Sequence, residues 1–398
     1  MSAGRRRLLG FVGDVMVDRD EPDTAFDLAR GALTTPDLLF GNCECVFTDD
    51  RRHLAPSAAV VAIAPSAAAA ALGPAGFDVM SLANNHIVDA GHEGIDTTAG
   101  LLGGQGIQTV GAGRNLTEAR RPATLRTGDV TVAYLAYASF FPSGYEARDD
   151  WPGLAPVRSR NHYVERFPNL WAPGTPPVCS TVPVPEDMER LEADLVAARQ
   201  AADIVVASFH WGDYQRPYDL TDHEVRTAHF AVGCGADVVV GHHHHMLRGV
   251  EWYRDRPIFY GLGHFVFDFA LPESGPAAMV DRQVTIDPGN DTYYGLAPRQ
   301  GWPLHPWHPD ARMTALAWVG LDGTTIDGAG FLPCRLNPAG QVEPLDPSSP
   351  AGAAVVEYVR TGCDTQDLGV ELVNSPDVVL GGLPTVEVVA ESHRQGAG

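Results

Sequence analysis

An α/β fold with mainly parallel strands is the architecture this sequence predicts. Over roughly the first 270 residues, short apolar runs alternate with stretches of helical periodicity, the pattern of βαβ units. Nearly every one of these runs stops at a small residue followed by an acidic, amide or imidazole side chain. Hydrophobic residues make up 44% of the 398, enough for a sizeable core.

The elements follow in order. Leu8–Val12 is a short strand ending in Gly13-Asp14, and Leu38–Phe40 is a second, ending in Gly41-Asn42-Cys43-Glu44. Val79–Leu82 runs into Ala83-Asn84-Asn85-His86. Val130–Tyr137 is rich in β-branched and aromatic residues. Met188, Leu191 and Leu195 recur at helical spacing behind Glu186 and Asp187, which suit a helix N-terminus. Ile204–Ser208 is a strand leading to Phe209-His210-Trp211-Gly212-Asp213. Thr221 with Glu224 reads as a capping box opening a helix that carries Val225, Ala228 and Val232. Asp237–Val240 is the next strand, followed by Gly241 and His242–His245. Gly249–Tyr253 and Ile258–Tyr260 form a hairpin around Arg254-Asp255-Arg256. A second hairpin pairs Met313–Val319 with Thr325–Leu332 across Asp322-Gly323, and Ala353–Val359 is a short helix.

Two stretches break the rhythm. Residues 140–185 are rich in Pro, Trp and Arg and too long for an ordinary connection, which predicts an inserted loop or lid. Trp151, Tyr163 and Trp171 within it, with Trp302 and Trp307 from the tail, either pack that loop down or line a peptide groove. After Leu271 the composition shifts to Gly, Pro and Asp. The expected organisation is thus a catalytic domain over 1–271 and a strand-rich extension over 272–398 packed on it, frayed beyond Glu391.

Composition excludes several chemistries. The formal charge of −22 disfavours nucleic acid and anionic membrane surfaces. All 28 basic residues are arginine. Pyridoxal phosphate, which needs a lysine Schiff base, and a nucleotide P-loop are therefore both excluded. The six cysteines are scattered, and Cys43 and Cys45 lack a second pair at zinc-finger spacing, so buried thiols are expected. The apolar run after Arg5-Arg6-Arg7 is broken by Asp14, and no stretch of 18 apolar residues follows, which predicts a cytoplasmic chain without an anchor.

The strand-end pattern carries the chemistry. Asp14, Glu44, His86, His210 and His242–His245 all occupy the carboxyl ends of strands, where open α/β sheets bind ligands, so they are expected to share one crevice. Carboxylates, the Asn85 amide and imidazoles together suit a divalent ion rather than a thiolate-loving metal.

At these residues the chain resembles the CapA-like family of capsule biosynthesis, a branch of the calcineurin-like metallophosphoesterases. The resemblance rests on Phe11-Val12-Gly13-Asp14, Gly41-Asn42-Cys43-Glu44, Ser81–His86 with Asp89 and Gly91, His210–Tyr214, Gly241–His245, and Gly261–Asp268, in the family's order. It implies a four-layer α/β/β/α sandwich with one or two divalent ions (Ca, Mn, Zn or Fe) at the strand ends. It also implies Asp14, Glu44, Asn85, His210, His243 and His245 as metal ligands and His86 as the acid/base. His242, His244 and Trp211 are left to supporting or substrate-binding roles. Three departures stand out. Met16 stands where the family's usual Asp-x-His has its His, His244 replaces a usual Pro, and His264 a usual Asn.

Three reactions fit: phosphoester hydrolysis, a part in handling poly-γ-glutamate, and proton transfer at a peptide Cα. The first is weakened by the absent Asp-x-His ligand. The third is the favoured expectation, because the chain resembles soluble family members that epimerise the C-terminal residue of lasso peptides. Such an isomerase would take a peptide as its partner and need acid and base on opposite faces of the carbon. Three His/Asp pairs are close in sequence: His86 with Asp89, His210 with Asp213, and His264 with Asp268. From these His86, Asp89, Asp213 and His264 are the candidate catalytic residues.

Overall fold

The computed structural model describes residues 6–52, 54, 61–167, 174–270, 294, 296 and 299–391. Trp171 and the tail after Glu391 lie outside them. Two sheets carry the fold. The larger is organised around the strand Arg7–Met16, a continuous buried run from Leu9 to Met16. On one side of it, Leu38–Cys43, Val79–Ser81 and Gln108–Val110 follow in parallel. On the other side its neighbour changes partway along. Residues 7–11 pair antiparallel with Met313–Asp322, whereas Asp14–Met16 pair in parallel with His264–Phe267. Gly13 sits at this change, and a Cβ there would lie 1.8 Å from the Gly263 carbonyl oxygen, so only glycine allows the strands to approach.

The second sheet runs in the order Val250–Tyr253, Arg256–Phe259, Val238–His242, Ile204–His210, Val130–Ala138, Ala123–Thr127. Its central strands are buried on both faces, and their two-residue period divides the core. Val132, Tyr134, Ala136, Val206, Val238 and Val240 pack into the core between the sheets, where Phe40 stacks on Tyr134 at 5.7 Å. Ala133, Leu135, Tyr137, Val205, Ala207, Phe209 and Val239 face the opposite way. They pack under the helices Pro185–Ala201 and Asp222–Gly233 through Leu191, Leu195, Ala228 and Ala231. The helix Glu93–Gly104 buries Ile95 and Leu102 in the core of the first sheet. The result is the four-layer α/β/β/α sandwich expected.

The capping box at Thr221 and Glu224 is present, with the Glu224 carboxylate accepting from the Thr221 backbone N–H at 2.7 Å. The helix expected at Ala353–Val359 is longer, Pro350–Thr365, because Ser349 caps it by accepting from Gly352 N. Three features escaped the sequence reading, two of them at the C-terminal end. The strands Val370–Leu380 and Leu383–Ala390 form a further hairpin. That hairpin joins the larger sheet through Thr325–Leu336, so the C-terminal stretch extends the sheet that carries Asp14. The stretch 140–185 holds a short hairpin, Ser159–Val164 with Val178–Pro183, whose Tyr163 is 70% exposed. Among the described residues no helix is long and apolar enough to cross a membrane.

Candidate metal centre

The parity that divides the core also aims the site. His210 shares the inter-sheet face with Val206 and His242 with Val240, so both point toward the first sheet, where Asp14 lies near the end of its strand and Glu44 just beyond the end of its own. Asn42 ties the group together. Its amide donates to Asp14 Oδ1 at 2.9 Å and lies 3.5 Å from Glu44 Oε2 and 3.4 Å from His210 Nδ1. Asn84 holds Asn42 in turn, donating to its Oδ1 at 3.2 Å and to the Cys43 carbonyl at 2.7 Å. The other nitrogen of His210, Nε2, lies 2.7 Å from Asn85 Oδ1 and 3.6 Å from Glu44 Oε1. His242 Nδ1 is 3.5 Å from Asp14 Oδ1, and His245 Nδ1 is 3.8 Å from Asp14 Oδ2.

His243 and His245 enter the cluster through backbone at φ 91° and 60°, a left-handed conformation that side chains disfavour. Strain of this kind persists where the surroundings enforce it. The enforcing contact is His244, whose Nε2 bonds to Glu224 Oε1 at 2.7 Å with both side chains fully buried. Glu224 thus both caps its helix and anchors the histidine loop. Gly212 permits that contact, since a Cβ there would lie 2.2 Å from His244 Nε2.

Three sets of donors are placed to bind a metal ion: Asp14, Glu44 and His210; Glu44, His243 and His245; and Asp14, His245 and His264. The fit of a cation is visible in what the protein leaves unsatisfied. Asp14 Oδ2, Glu44 Oε1 and both ring nitrogens of His242 and of His243 are buried without a hydrogen-bond partner. Groups in that condition cost about 1–3 kcal/mol each unless something else satisfies them. Burial, with the neighbouring imidazoles adding to it, holds His210, His243 and His245 well below the ordinary histidine range, in the neutral form that ligates metals. Burial and then the adjacent Asp14 carboxylate push Glu44 up, a repulsion that a dication relieves.

Beside this cluster His86 Nδ1 bonds to Asp89 Oδ2 at 2.6 Å, and Asp89 also accepts from Ala62 N at 2.8 Å and from the Tyr145 hydroxyl at 3.1 Å. His86 Nε2 lies 3.1 Å from the Asn85 amide, so it faces the donors. Phe140 stacks on His243 with centroids 4.3 Å apart, and Tyr214 meets His243 and His245 edge-on.

Several expected placements are corrected. Trp211 is an odd-numbered neighbour of His210 and therefore lies on the helix side. It is fully buried there, stacked on Phe209 at 4.8 Å and donating to the Tyr260 carbonyl, where no substrate reaches it. His210 and Asp213 do not pair. Gly212 at φ 86° turns the chain away, and Asp213 accepts from Gln215 N instead. His264 and Asp268 do not pair either, because a strand rises about 3.3 Å per residue and separates them. Asp268 is engaged by Arg19 at 2.5 Å. His244 is a buried support rather than a substrate contact, and His242 faces Asp14. Trp151 contacts His92 and Trp302 lies against Arg312, whereas Trp307 is buried against His245 and His264. Asn42, Glu224 and His305, absent from the predicted site, belong to its framework.

Acid should therefore destabilise the metal-free protein. Unfolded imidazoles take protons near pH 6.5. Folded His305 is pushed down to about 3 by burial, and His210, His243, His244, His245 and His264 are also lowered. The unfolded chain then binds more protons, so stability is full above pH 6.5 and falls toward pH 3. The raised carboxyls of Glu44 and Glu224 oppose this only in part. Thermal melts in chelator should show Tm dropping by several degrees between pH 7.5 and 5.5; a flat profile would refute it.

Residues 8–269 match the profile of the family described as "Bacterial capsule synthesis protein PGA_cap". The PGA biosynthesis protein CapA of Bacillus subtilis is 28% identical over 279 residues, 68% of this chain and 66% of that protein. A probable polyglutamine synthesis accessory protein of Mycobacterium tuberculosis is 34% identical over 196 residues, 48% of this chain and 45% of that protein. The chain thus spans between about half and two-thirds of the length of these relatives. Among solved structures, a hypothetical protein from Thermus thermophilus matches at 14% identity and TM-score 0.45, covering 82% of this chain and 98% of that one. The calcineurin-like phosphoesterase YfkN from Bacillus subtilis matches at 12% identity and TM-score 0.35, covering 90% and 97%. Neither is close enough to bear on activity. The favoured isomerase expectation is overturned by the relatives, whose names concern capsule and PGA biosynthesis. With two-thirds of its length inside the matched region, the chain belongs to the bacterial capsule synthesis protein (PGA_cap) family.

Proposed function

We propose that this chain is a metal-dependent hydrolase, with a γ-glutamyl polymer or its fragments as substrate class. The observation that carries the reaction is the buried donor set left without partners, flanked by the His86–Asp89 pair. The substrate class comes from the relatives' names. In this reading Asp14, Glu44, Asn85, His210, His243 and His245 hold the ion. Their imidazole-rich mixture favours Mn, Fe or Zn over Ca, which prefers oxygen alone. A bound divalent ion supplies Lewis acidity and an activated water.

The chain's own residues do the rest. With its Nδ1–H donated to the Asp89 carboxylate, His86 has Nε2 as the end that exchanges protons with the substrate. Tyr145 and Ala62 N fix Asp89 and with it the ring plane of His86. Phe140, stacked over His243, shields the donors from water on one side.

Phosphoester hydrolysis is the second reading, favoured by the carboxylate and imidazole donors with His86 and the Asn85 amide beside them. Chelated protein reconstituted with Mn²⁺ should separate the two when offered poly-γ-glutamate oligomers, p-nitrophenyl phosphate and bis-p-nitrophenyl phosphate. New amine termini support the first, and free phosphate or nitrophenol supports the second. Metal-loaded protein that cleaves none of them would overturn both.

A further inference from the structure

The stretch 158–166 departs from the charge balance of the chain. The protein as a whole carries −22, yet this stretch holds three arginines and a histidine against the single acid Glu165. It supplies the outer strand of the hairpin that pairs Ser159–Val164 with Val178–Pro183. The inner strand is tied to the helix Asp222–Gly233. Asp222 Oδ2 accepts from the Ser180 hydroxyl at 2.6 Å and from Thr181 N at 3.3 Å, and Thr181 Oγ1 accepts from His223 N at 2.9 Å. Arg158 pins the base, its backbone N–H and its guanidinium both donating to Asp187. The outer strand pairs with no third strand among the described residues, and every side chain from Arg160 to Val164 is exposed.

Arg160 and His162 are two residues apart on an extended strand, so they share a face at a separation of about 7 Å. Arg166 follows just past the strand's end, with Tyr163 and Phe167 exposed beside these cations. Elsewhere arginines find carboxylates, as Arg19 does in Asp268, Arg120 in Asp194 and Arg199 in Asp237. Among the described residues Arg160, His162 and Arg166 have no acidic partner. At physiological ionic strength a charge is felt over about 8 Å. An approaching anion therefore meets this strip and is largely screened from the remote acids that set the net charge.

The hairpin rises from the rim of the metal centre. Val157 N donates to the Ala138 carbonyl at 2.9 Å, and Ser139 donates through its N–H to the His210 carbonyl at 2.8 Å and through its hydroxyl to the Val157 carbonyl at 2.6 Å. The next residue, Phe140, is the one stacked on His243. Along the hairpin Arg160 is nearer that rim and Arg166 farther out.

We propose that Arg160, His162 and Arg166 form a docking strip for a polycarboxylate chain, a γ-glutamyl polymer, whose end is then presented to the metal centre. The identity of the occupant rests on the hydrolase reading above. A polymer with one carboxylate on every residue matches a strip that repeats its cations, and the acidic surface elsewhere repels it. Tyr163 and Phe167 offer apolar faces to the polymer's methylene groups.

Fluorescence anisotropy with a fluorescein-labelled poly-γ-glutamate oligomer tests the strip on metal-free protein, where no cleavage intervenes. The wild type should bind it, and more weakly as salt rises. The double variant Arg160→Ser/Arg166→Ser should fold as the wild type does by circular dichroism, because both side chains are exposed. It should bind about 10-fold more weakly, the combined effect of two exposed charge contacts. With Mn²⁺ restored, the variant should raise KM for the polymer by the same factor at unchanged kcat. Cleavage of a γ-glutamyl dipeptide, too short to reach the strip, should be unaltered. A wild type that binds no oligomer, a folded double variant that binds it as tightly, or an oligomer displaced equally well by polyphosphate of matched charge would overturn the proposal. Dipeptide cleavage in those cases would leave the hydrolase reading standing. Binding that depends on the two arginines, with no γ-glutamyl substrate cleaved by the Mn²⁺ protein, would uphold the strip and overturn the hydrolase reading.

Discussion

Replacing Asp14 with alanine is expected to abolish metal-dependent activity, by more than about 10³-fold, and to remove the metal's effect on stability. Asp14 belongs to two of the three donor sets, is fully buried, and has one oxygen committed to Asn42 and the other to no protein group. Two opposing terms act on the metal-free protein. Losing the carboxylate strands the Asn42 amide, at about 1–3 kcal/mol. It also removes the buried charge whose repulsion pushes Glu44 up. The melting temperature without metal should therefore move little. With metal the two proteins should diverge, because an ion that binds only the folded state stabilises by RT ln(1 + [L]/Kd), about 2.7 kcal/mol at a hundredfold excess over Kd. Differential scanning fluorimetry with and without Mn²⁺ checks this. Asp14→Asn, which keeps the acceptor for Asn42, separates the hydrogen bond from the charge. An Asp14→Ala protein that retains activity within tenfold, or whose melting temperature still rises with metal, would refute the assignment.

The strands that carry the site were legible because each apolar run stops at a polar side chain, at Asp14, Glu44, His210 and His242, although those side chains are themselves buried. The convergence of those ends also follows from sequence, since parallel strands deliver their carboxyl ends to one edge. What failed were inferences from closeness along the chain. His86 and Asp89 pair because they sit in a turn, whereas the same reasoning misled at His264 and Asp268, which lie on and just after an extended strand. Trp211 was misplaced for a related reason: the period of two sends adjacent residues to opposite faces, and its neighbour His210 already occupied the inner one. Glu224 was readable as a cap but not as the anchor of His244, because the two are 20 residues apart and meet only through the packing of a helix on the sheet. His305 had no local signal at all. It reaches His264 from a tail with no regular periodicity, and only the fold brings the two rings together.

The second large effect concerns the proton. His86→Ala should lower turnover about 10²- to 10⁴-fold, the usual contribution of a positioned acid or base, while leaving metal content intact. The loss should depend on the leaving group. A departing p-nitrophenolate needs no proton, so that substrate should be cleaved nearly as well by the variant, whereas an alkoxide or amine that must be protonated as it leaves should show the full deficit. Asp89→Asn tests positioning separately. Asp89 touches no reacting atom; it accepts from His86 Nδ1–H at 2.6 Å and is itself held by Tyr145 and Ala62 N. An asparagine amide can present either its oxygen or its NH₂ to Nδ1, so the tautomer is no longer fixed, and a loss of roughly 10- to 100-fold is expected, with the same leaving-group dependence. Tyr145→Phe removes one support of the carboxylate and should act in the same direction, more weakly. The pattern across substrates carries the information. Equal losses for good and poor leaving groups in His86→Ala would mean that His86 binds or orients the substrate and that the proton comes from elsewhere in the cluster. A deficit confined to poor leaving groups, shared in diminished form by Asp89→Asn, would place the acid at His86 Nε2.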